Sequence, residues 1–172
     1  MSAASEPALP PPPSGRETGG DFAWLTDDEQ KSWRAYLRAS RALELTLDTE
    51  LQQAGMSLAE YELLSMLSEA DDCSMRMSQL ADLVIQSRSR VTHTATRLER
   101  RGWVQRRPAP HDGRGIELVL TPAGLAAVEA AARIHVQGVQ DHLVRQLDPM
   151  LFHALGVAMT RVREHLRGHY SP

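Results

Sequence analysis

The sequence has few of the features that would place it in a secreted or membrane class. Its one cysteine, Cys73, has no second cysteine in the chain to form a disulfide with, which fits a reducing cytoplasm. No hydrophobic run approaches the roughly 18 residues of a membrane span, and the first residues lack the basic start and apolar core of a signal peptide. We therefore expect a cytoplasmic protein without a membrane partner.

Signatures of catalysis are missing as well. There is no glycine-rich phosphate loop, no nucleophile elbow and no zinc-protease motif, so we expect neither an enzyme nor a bound cofactor. His135 and His142 lie seven residues apart, and His165 and His169 four apart. A spacing of four can chelate a metal, but no cysteine or acidic cluster completes such a site in the sequence. We interpret these histidines as surface or interface residues.

Lysine is almost missing: Lys31 stands beside 18 arginines in a chain of formal net charge −3. Nine of those arginines fall between residues 76 and 121, against four acidic residues. Such a local excess of positive charge is typical of a nucleic-acid-binding surface, and the planar guanidinium suits phosphate and guanine. The nine are Arg76, Arg88, Arg90, Arg97, Arg100, Arg101, Arg106, Arg107 and Arg114.

Proline is concentrated at one end, since five of the ten prolines lie in residues 1–20. This stretch has few large apolar side chains, so burial cannot offset the entropy lost on ordering. We expect residues 1–20 to form a flexible tail and residues 21–172 to form one domain with a sizeable core.

Two short helices are predicted in the arginine-rich region. Leu80, Leu83 and Val84 recur at helical spacing and predict one apolar face. The stretch 85–87 interrupts this helix, and Ser87 is a suitable N-cap for a second one because its hydroxyl accepts a free backbone N–H.

The second helix has an apolar side and a polar side. Val91, Ala95 and Leu98 form the inward stripe, and Gly102 follows as the expected terminating residue. The opposite positions, with the cap, are our candidate DNA contacts. They are Ser87, Arg88, Ser89, Arg90, Thr92, His93 and Arg97.

A β-hairpin is predicted next. Residues 103–107 have strand composition, and residues 116–120 alternate as a half-buried strand does. Residues 108–115 are rich in Pro and Gly, which do not sustain a sheet, so we expect them to form the hairpin tip. Helix, turn, helix and hairpin in this order predict a winged helix-turn-helix: a mainly α fold with a small β-hairpin wing.

This arrangement predicts how the hairpin meets DNA. The second helix enters the major groove, and Arg114 at the tip reaches a neighbouring minor groove. Asp112 braces the turn, while Arg106 and Arg107 at the hairpin base contact phosphates.

At this point the sequence resembles the MarR (multiple antibiotic resistance regulator) family of bacterial transcription factors. The resemblance extends over roughly residues 21–166, and its motifs are specific in combination. The matching segments are GMSLAEYELLSML (55–67), QLADLV (79–84), SRVTHTATRLERRGWVQRRP (89–108), HDGRG (111–115) and LTPAG (120–124).

The resemblance implies a ligand-responsive homodimeric repressor that binds double-stranded DNA at a palindromic promoter operator. The family's Asp-x-Arg wing pattern is met by Asp112 and Arg114. The chain departs from the family at His93, where many members have Arg, and in its long N-terminal tail. Some relatives sense oxidants through a cysteine near the start of their first helix; Cys73 is not there, and its acidic neighbours raise a thiol's pKa.

The helices that flank the head (about 55–121) are expected to dimerise. Thr26–Glu29 and Ser57–Glu60 match capping boxes, and Thr121-Pro122 and Asp148-Pro149 match helix starts. The helices expected at about 26–53 and 122–167 carry stripes of apolar residues that are too extensive for the head alone to bury. The last of them, ending at Gly168, has the stripe Leu151, Leu155, Met159, Val162 and Leu166.

Two aromatic residues, Trp33 and Tyr36, are candidates for binding a small aromatic or anionic effector in a cleft beside the head, as MarR-like proteins do. The alternative, which we favour, is that both rings form part of the core of the dimer interface. Two other functions stay open at this point: a winged-helix protein-interaction module without specific DNA binding, and a redox- or metal-controlled regulator.

Overall fold

The computed structural model describes residues 24–84, 87–109 and 112–167, except for the side chains of 112–114 and 167. Six α-helices and three β-strands are assigned within these ranges. They are α1 (Asp27–Gln53), α2 (Leu58–Glu69), β1 (Ser74–Arg76), α3 (Met77–Leu83), α4 (Arg88–Arg100), β2 (Val104–Ala109), β3 (Asp112–Leu120), α5 (Pro122–His142) and α6 (Pro149–Arg167). The expected tail, 1–20, and the expected terminator Gly168 lie outside the described residues.

The chain divides into two compact units, Met1–Leu37 and Arg38–Pro172. In the first unit the expected capping box is present: Thr26 N donates to Glu29 Oε2 at 2.7 Å, and Glu29 N donates back to Thr26 Oγ1 at 3.3 Å. The rings of Trp33 and Tyr36 stack with centroids 5.9 Å apart.

In the second unit the helices begin at the predicted residues. Ser57 and Glu60 form a capping box, and the hydroxyls of Ser87 and Thr121 accept backbone N–H groups at the starts of α4 and α5. At the start of α6, Asp148 Oδ1 accepts from the backbone N of Met150 and of Leu151. Short polar side chains therefore set four helix starts here, as the sequence predicts.

The core lies between α2, α3, α4, the sheet and one face of α5. Leu63, Leu64 and Leu67 of α2 are fully buried and share this core with the inward stripe of α4. The fully buried large side chains are Leu51, Leu63, Leu64, Leu67, Leu80, Val91, Leu98, Val104 and Leu118.

The sheet has three antiparallel strands in the order β1-β3-β2. Strand β1 was not predicted: its three residues pair with the end of β3, Ser74 opposite Val119 and Arg76 opposite Glu117. It links the end of α2 to the start of α3, so the wing is joined to the helical head through the sheet.

The prediction of the hairpin tip was wrong in extent. Strand β2 continues through Pro108 and Ala109, and β3 begins at Asp112, so Pro108 pairs with Ile116. Pro108 is tolerated because it lies on an edge strand and directly before a register shift, the two places in a sheet that accept proline.

A second correction concerns Leu83, which we expected on the apolar face of α3. Its side chain is 47 % exposed, while Leu80 and Ala81 are buried. Helix α3 has only two turns, so only one narrow face of it packs against the core and Leu83 lies off that face.

Helix α6 contains no buried residue among its described side chains. Leu151, Val162 and Leu166 of the predicted stripe are exposed in the single chain. Within the described ranges, no helix is both long enough and apolar enough to span a membrane.

Candidate nucleic-acid interface

Helix α4 is positioned by its inward side and by both of its ends. Ser87 Oγ accepts from Arg90 N at 3.4 Å and lies 3.0 Å from Ser89 Oγ, which fixes the first turn. The helix ends at Arg100, and Gly102 follows with a φ of +71°, which favours glycine because a Cβ is strained there. Val91, Ala95 and Leu98 are fully buried, as predicted.

The outward face of α4 is open to solvent. All seven candidate contact residues from Ser87 to Arg97 are exposed, as expected for the polar side of the helix. The side chains of Arg88, Arg90 and His93 have no hydrogen-bond or ion-pair partner within the parts of the chain that the structure describes. Three side chains able to donate to bases or phosphates therefore lie together near the N-terminal end of one exposed helix face.

Thr92 and Thr96 bond back to their own helix. Thr92 Oγ1 donates to the carbonyl of Arg88 at 2.8 Å, and Thr96 Oγ1 donates to the carbonyl of Thr92 at 2.8 Å. Each hydroxyl keeps lone pairs that accept further donors.

Arg97 and Arg101, near the end of α4, are held by the head itself. Arg97 Nε lies 3.4 Å from Glu60 Oε1, and Arg101 Nη1 lies 3.7 Å from Glu60 Oε2. Arg101 also donates to the carbonyl of Gly55 at 2.8 Å and stacks 3.5 Å from the ring centre of Trp103. The two arginines thus fasten α4 to α2, and Arg101 joins it to the base of the wing.

Arg106 of β2 joins the wing to α4. Its Nη2 donates to Thr96 Oγ1 at 2.9 Å and to the carbonyl of Thr92 at 3.3 Å, and its Nη1 pairs with Glu99. The backbone N of Arg106 donates to Glu99 Oε1 as well, at 3.3 Å. A residue predicted as a phosphate contact therefore has a structural role within the protein.

Arg107 spans the sheet instead. Its Nε lies 3.1 Å from Glu117 Oε2 on β3, its cross-strand neighbour, and its Nη2 donates to Ser74 Oγ on β1 at 3.2 Å. Half of the side chain stays exposed, so the outer edge of the guanidinium is free for a phosphate.

An open hollow of about 340 Å³ lies where α3, α4 and the wing meet. Two arginines, Arg76 and Arg106, contribute to its wall, which gives the hollow a cationic side. The remaining wall residues are Met77, Ser78, Thr92, Gly115 and Ile116.

Known proteins share this architecture along most of the chain. A family model described as MarR family matches residues 54–115. AbsC, a MarR family regulator from Streptomyces coelicolor, is 40 % identical with a TM-score of 0.81, covering 86 % of this chain and 99 % of its own. The chain belongs to the MarR family.

Two further MarR relatives extend the comparison. Sco3205 from Streptomyces coelicolor, whose structure is a complex with DNA, is 39 % identical with a TM-score of 0.82, covering 85 % of this chain and 92 % of its own. The regulator PecS of Dickeya dadantii is 27 % identical over 130 residues, 75 % of this chain and 78 % of its own. The protein is thus a MarR-family transcriptional regulator with a winged helix-turn-helix.

Three residues of the predicted wing motif lie wholly or partly outside the described structure. His111 lies outside the described residues, and for Asp112 and Arg114 the structure gives the backbone, in β3, without describing the side chains. Trp33 and Tyr36 are described: both rings are about half exposed in the single chain.

The other singled-out residues are scattered. Cys73 is half-buried in a turn with φ of +50°, and His142 Nε2 lies 2.7 Å from Glu50 Oε1. Among the described residues no three His, Cys, Asp or Glu side chains come together as a metal site would require, and His169 is not among them.

Sequence reasoning missed Glu60 and Glu99 as parts of the interface. Glu60 was recognised only as a capping residue, and its second role depends on arginines 37 and 41 positions further along the chain. Glu99 lies seven residues before Arg106, across a helix end and a turn, so helical spacing did not relate them. An acidic residue among many arginines was the available signal.

Proposed function

We propose that the protein is a sequence-specific repressor that binds a palindromic promoter operator as a homodimer and is released by a small ligand. The observation that carries this proposal is the division of the arginines on the head. The side chains of Arg97, Arg101 and Arg106 are engaged within the protein, whereas those of Arg88 and Arg90 are exposed and unpaired in the described structure. An engaged arginine positions the helix, and an unpaired one is available to DNA.

The recognition chemistry follows from the N-terminal half of α4. An arginine that donates two hydrogen bonds to guanine N7 and O6 contributes about 1–3 kcal/mol of discrimination against the wrong base. Arg88 and Arg90 supply that fork, and the hydroxyls of Ser87 and Ser89 supply phosphate contacts where the helix enters the groove. His93, one turn after Arg90, reads a base or phosphate with a shorter side chain than the arginine common in relatives.

A second copy accounts for the exposed apolar face of α6. Leu151, Val162 and Leu166 are exposed on a helix that has no fully buried residue among its described side chains. Pairing with the same helix of a second protomer buries this face and gives two reading heads related by a two-fold axis. Such a dimer matches a palindromic operator in bacterial promoter DNA, and its binding there excludes the polymerase.

Two surfaces are candidates for binding the proposed ligand. The hollow between α3, α4 and the wing has a volume within the usual range for small-molecule sites and has Arg76 and Arg106 in its wall. The cationic wall of the hollow suits the anionic group of a small aromatic compound. The exposed rings of Trp33 and Tyr36 are a separate candidate surface, on which an aromatic ring can stack. A ligand that binds better to the dimer unable to grip DNA would release the operator.

The test is a gel shift with the DNA upstream of the protein's own gene, compared with random DNA of equal length. Arg88→Ala and Arg90→Ala should lose preference for the promoter fragment. Arg133→Ala, which removes an exposed charge from α5, is the matched control and should keep that preference. Unchanged specificity in both α4 variants would show that this helix does not read the operator.

A further inference from the structure

The carboxylate of Glu60 has more partners than a helix cap needs. Its Oε2 accepts from Ser57 N at 2.9 Å and lies 3.1 Å from Ser57 Oγ, which completes the capping box of α2. The same carboxylate lies against Arg97 and Arg101 of α4. Glu60 is only 7 % exposed. One buried negative charge therefore serves the start of one helix and the end of another.

Capping alone does not explain a charged residue at this position. Glutamine completes a capping box as well as glutamate does, because only an acceptor oxygen is required. Burying a carboxylate costs free energy unless cations pair with it. The charge of Glu60 is thus matched to Arg97 and Arg101, both of which come from the helix that faces DNA.

We propose that Glu60 is a positioning residue that withholds Arg97 from the DNA backbone and sets the orientation of α4 on α2. The inference rests on the proposed role of α4 as the reading helix. With Arg97 held at Glu60, binding depends on Arg88 and Arg90 at the other end of the helix. Specific contacts then weigh more against non-specific charge attraction, because each additional phosphate contact strengthens binding to every sequence.

Arg97 and Arg101 differ in how they should respond to loss of the charge on Glu60. Arg97 is 56 % exposed and Glu60 is its ion-pair partner in the described structure, so losing that partner leaves it free to swing toward a phosphate. Arg101 keeps its hydrogen bond to the Gly55 carbonyl and its contact with Trp103. Removal of the charge on Glu60 therefore frees one cation.

The experiment measures binding to random duplex DNA by fluorescence anisotropy between 50 and 200 mM salt. Glu60→Gln keeps an acceptor for the cap and removes the charge. Each phosphate contact contributes about 0.9 to the slope of log K against log salt. We expect the slope of Glu60→Gln to steepen by about one, so that its affinity falls about fourfold further across this salt range than that of the parent. Discrimination between operator and random DNA should fall in the same variant.

Glu69→Gln removes the same charge from the exposed end of α2 and is the matched control. We expect it to keep the parent's slope. The double variant Glu60→Gln with Arg97→Gln should return to the parent's slope, because the freed cation is gone. A steeper slope that survives in the double variant would overturn the proposal.

A further variant keeps the test independent of how well Glu60→Gln folds. Arg97→Gln alone should leave the parent's slope unchanged, since the parent withholds Arg97 from phosphates. A slope shallower by about one would show that Arg97 already contacts a phosphate and would overturn the inference. Arg90→Ala is tested beside it to distinguish the inference about Glu60 from the proposed role of α4. If Arg90→Ala leaves operator binding intact, the proposed function is wrong.

Discussion

Arg106 of β2 donates a 2.9 Å hydrogen bond to the hydroxyl of Thr96 in the middle of α4. The same guanidinium pairs with Glu99 one turn later and reaches the Thr92 carbonyl one turn earlier. One side chain of the wing thus spans two turns of the helix. Arg106 therefore ties the wing to α4, and we expect a distortion of either to be passed to the other.

This bridge gives a prediction about stability. Arg106→Ala should lower the free energy of unfolding by about 1–3 kcal/mol, because Glu99 and two helix acceptors lose a largely buried, charged donor. Arg107→Ala removes the half-exposed pair with Glu117 and should cost no more than about 1 kcal/mol. Urea unfolding followed by circular dichroism measures both. Equal losses in the two variants would show that Arg106 is an ordinary surface residue.

The wing tip is tested through Arg114. Arg114→Ala should weaken operator binding strongly and reduce the dependence on A·T content beside the half-sites, because narrow A·T minor grooves attract arginine. Arg107→Ala, by contrast, should weaken binding to operator and random DNA alike and make the salt slope shallower by about one. Anisotropy titrations on operators with altered flanks distinguish these effects. An Arg114→Ala protein that binds as tightly as the parent would rule out the wing as a DNA contact.

Removal of α6 tests the dimer. A chain truncated before Asp148 should be monomeric in sedimentation velocity at micromolar concentration, because it lacks the exposed face that includes Leu151 and Val162. It should also lose most of its operator affinity, since one head alone makes half of the contacts. A full-length protein that sediments as a monomer under the same conditions would contradict the proposed assembly.

Two glycines predict a graded loss of stability. A Cβ at Gly124 would lie 2.1 Å from the backbone oxygen of Trp103, which cannot move aside, whereas a Cβ at Gly138 would meet the flexible end of Glu50 at 2.3 Å. Overpacking typically costs about 1–3 kcal/mol. Gly124→Ala should lie at or above the top of this range and Gly138→Ala well below it, as measured by thermal unfolding. The reverse order would show that α5 shifts away from the base of the wing.

The contact between α2 and α5 predicts a pH dependence. The rings of His135 and Tyr61 lie 4.4 Å apart, and His135 Nδ1 is buried without a hydrogen-bond partner in the described structure. Burial lowers the pKa of His135 below its usual 6.5. The unfolded chain therefore binds a proton more readily than the folded one as pH falls below 6.5 toward the lowered pKa, and stability is lost across that window.

The corresponding measurement is the melting temperature of the parent and of His135→Leu between pH 5 and 8. The parent should lose stability on acidification more steeply than His135→Leu. His93→Gln, which changes an exposed histidine on α4, should follow the parent. Parallel curves for the parent and His135→Leu would exclude His135 as the source of the dependence.

Sequence alone predicted the features of the fold that depend on near neighbours. Ser57, Ser87 and Thr121 each bond to a backbone group three residues away, so the helix starts were predicted at the correct positions. The inward stripe of α4, with Val91 fully buried, followed from helical spacing in the same way. Local chemistry of this kind does not depend on the rest of the fold.

Features that depend on distant partners were missed or misplaced. Strand β1 exists because Ser74 pairs with Val119, 45 positions away, and a three-residue segment has no periodicity of its own. Pro108 was expected in a turn, yet its position at a sheet edge lets it stay in β2. The candidate contacts on α4 were placed on the right face, but no local signal showed that Glu60 pairs with Arg97.

The order of the sheet has a consequence for solubility. Strand β3 is enclosed on both sides, so the edges open to other molecules belong to β1, which has three residues, and to β2, which contains Pro108 and a register shift. Short strands, proline and irregular pairing are the devices that discourage edge-to-edge addition of another chain. We therefore expect the wing to resist aggregation through its own β-structure.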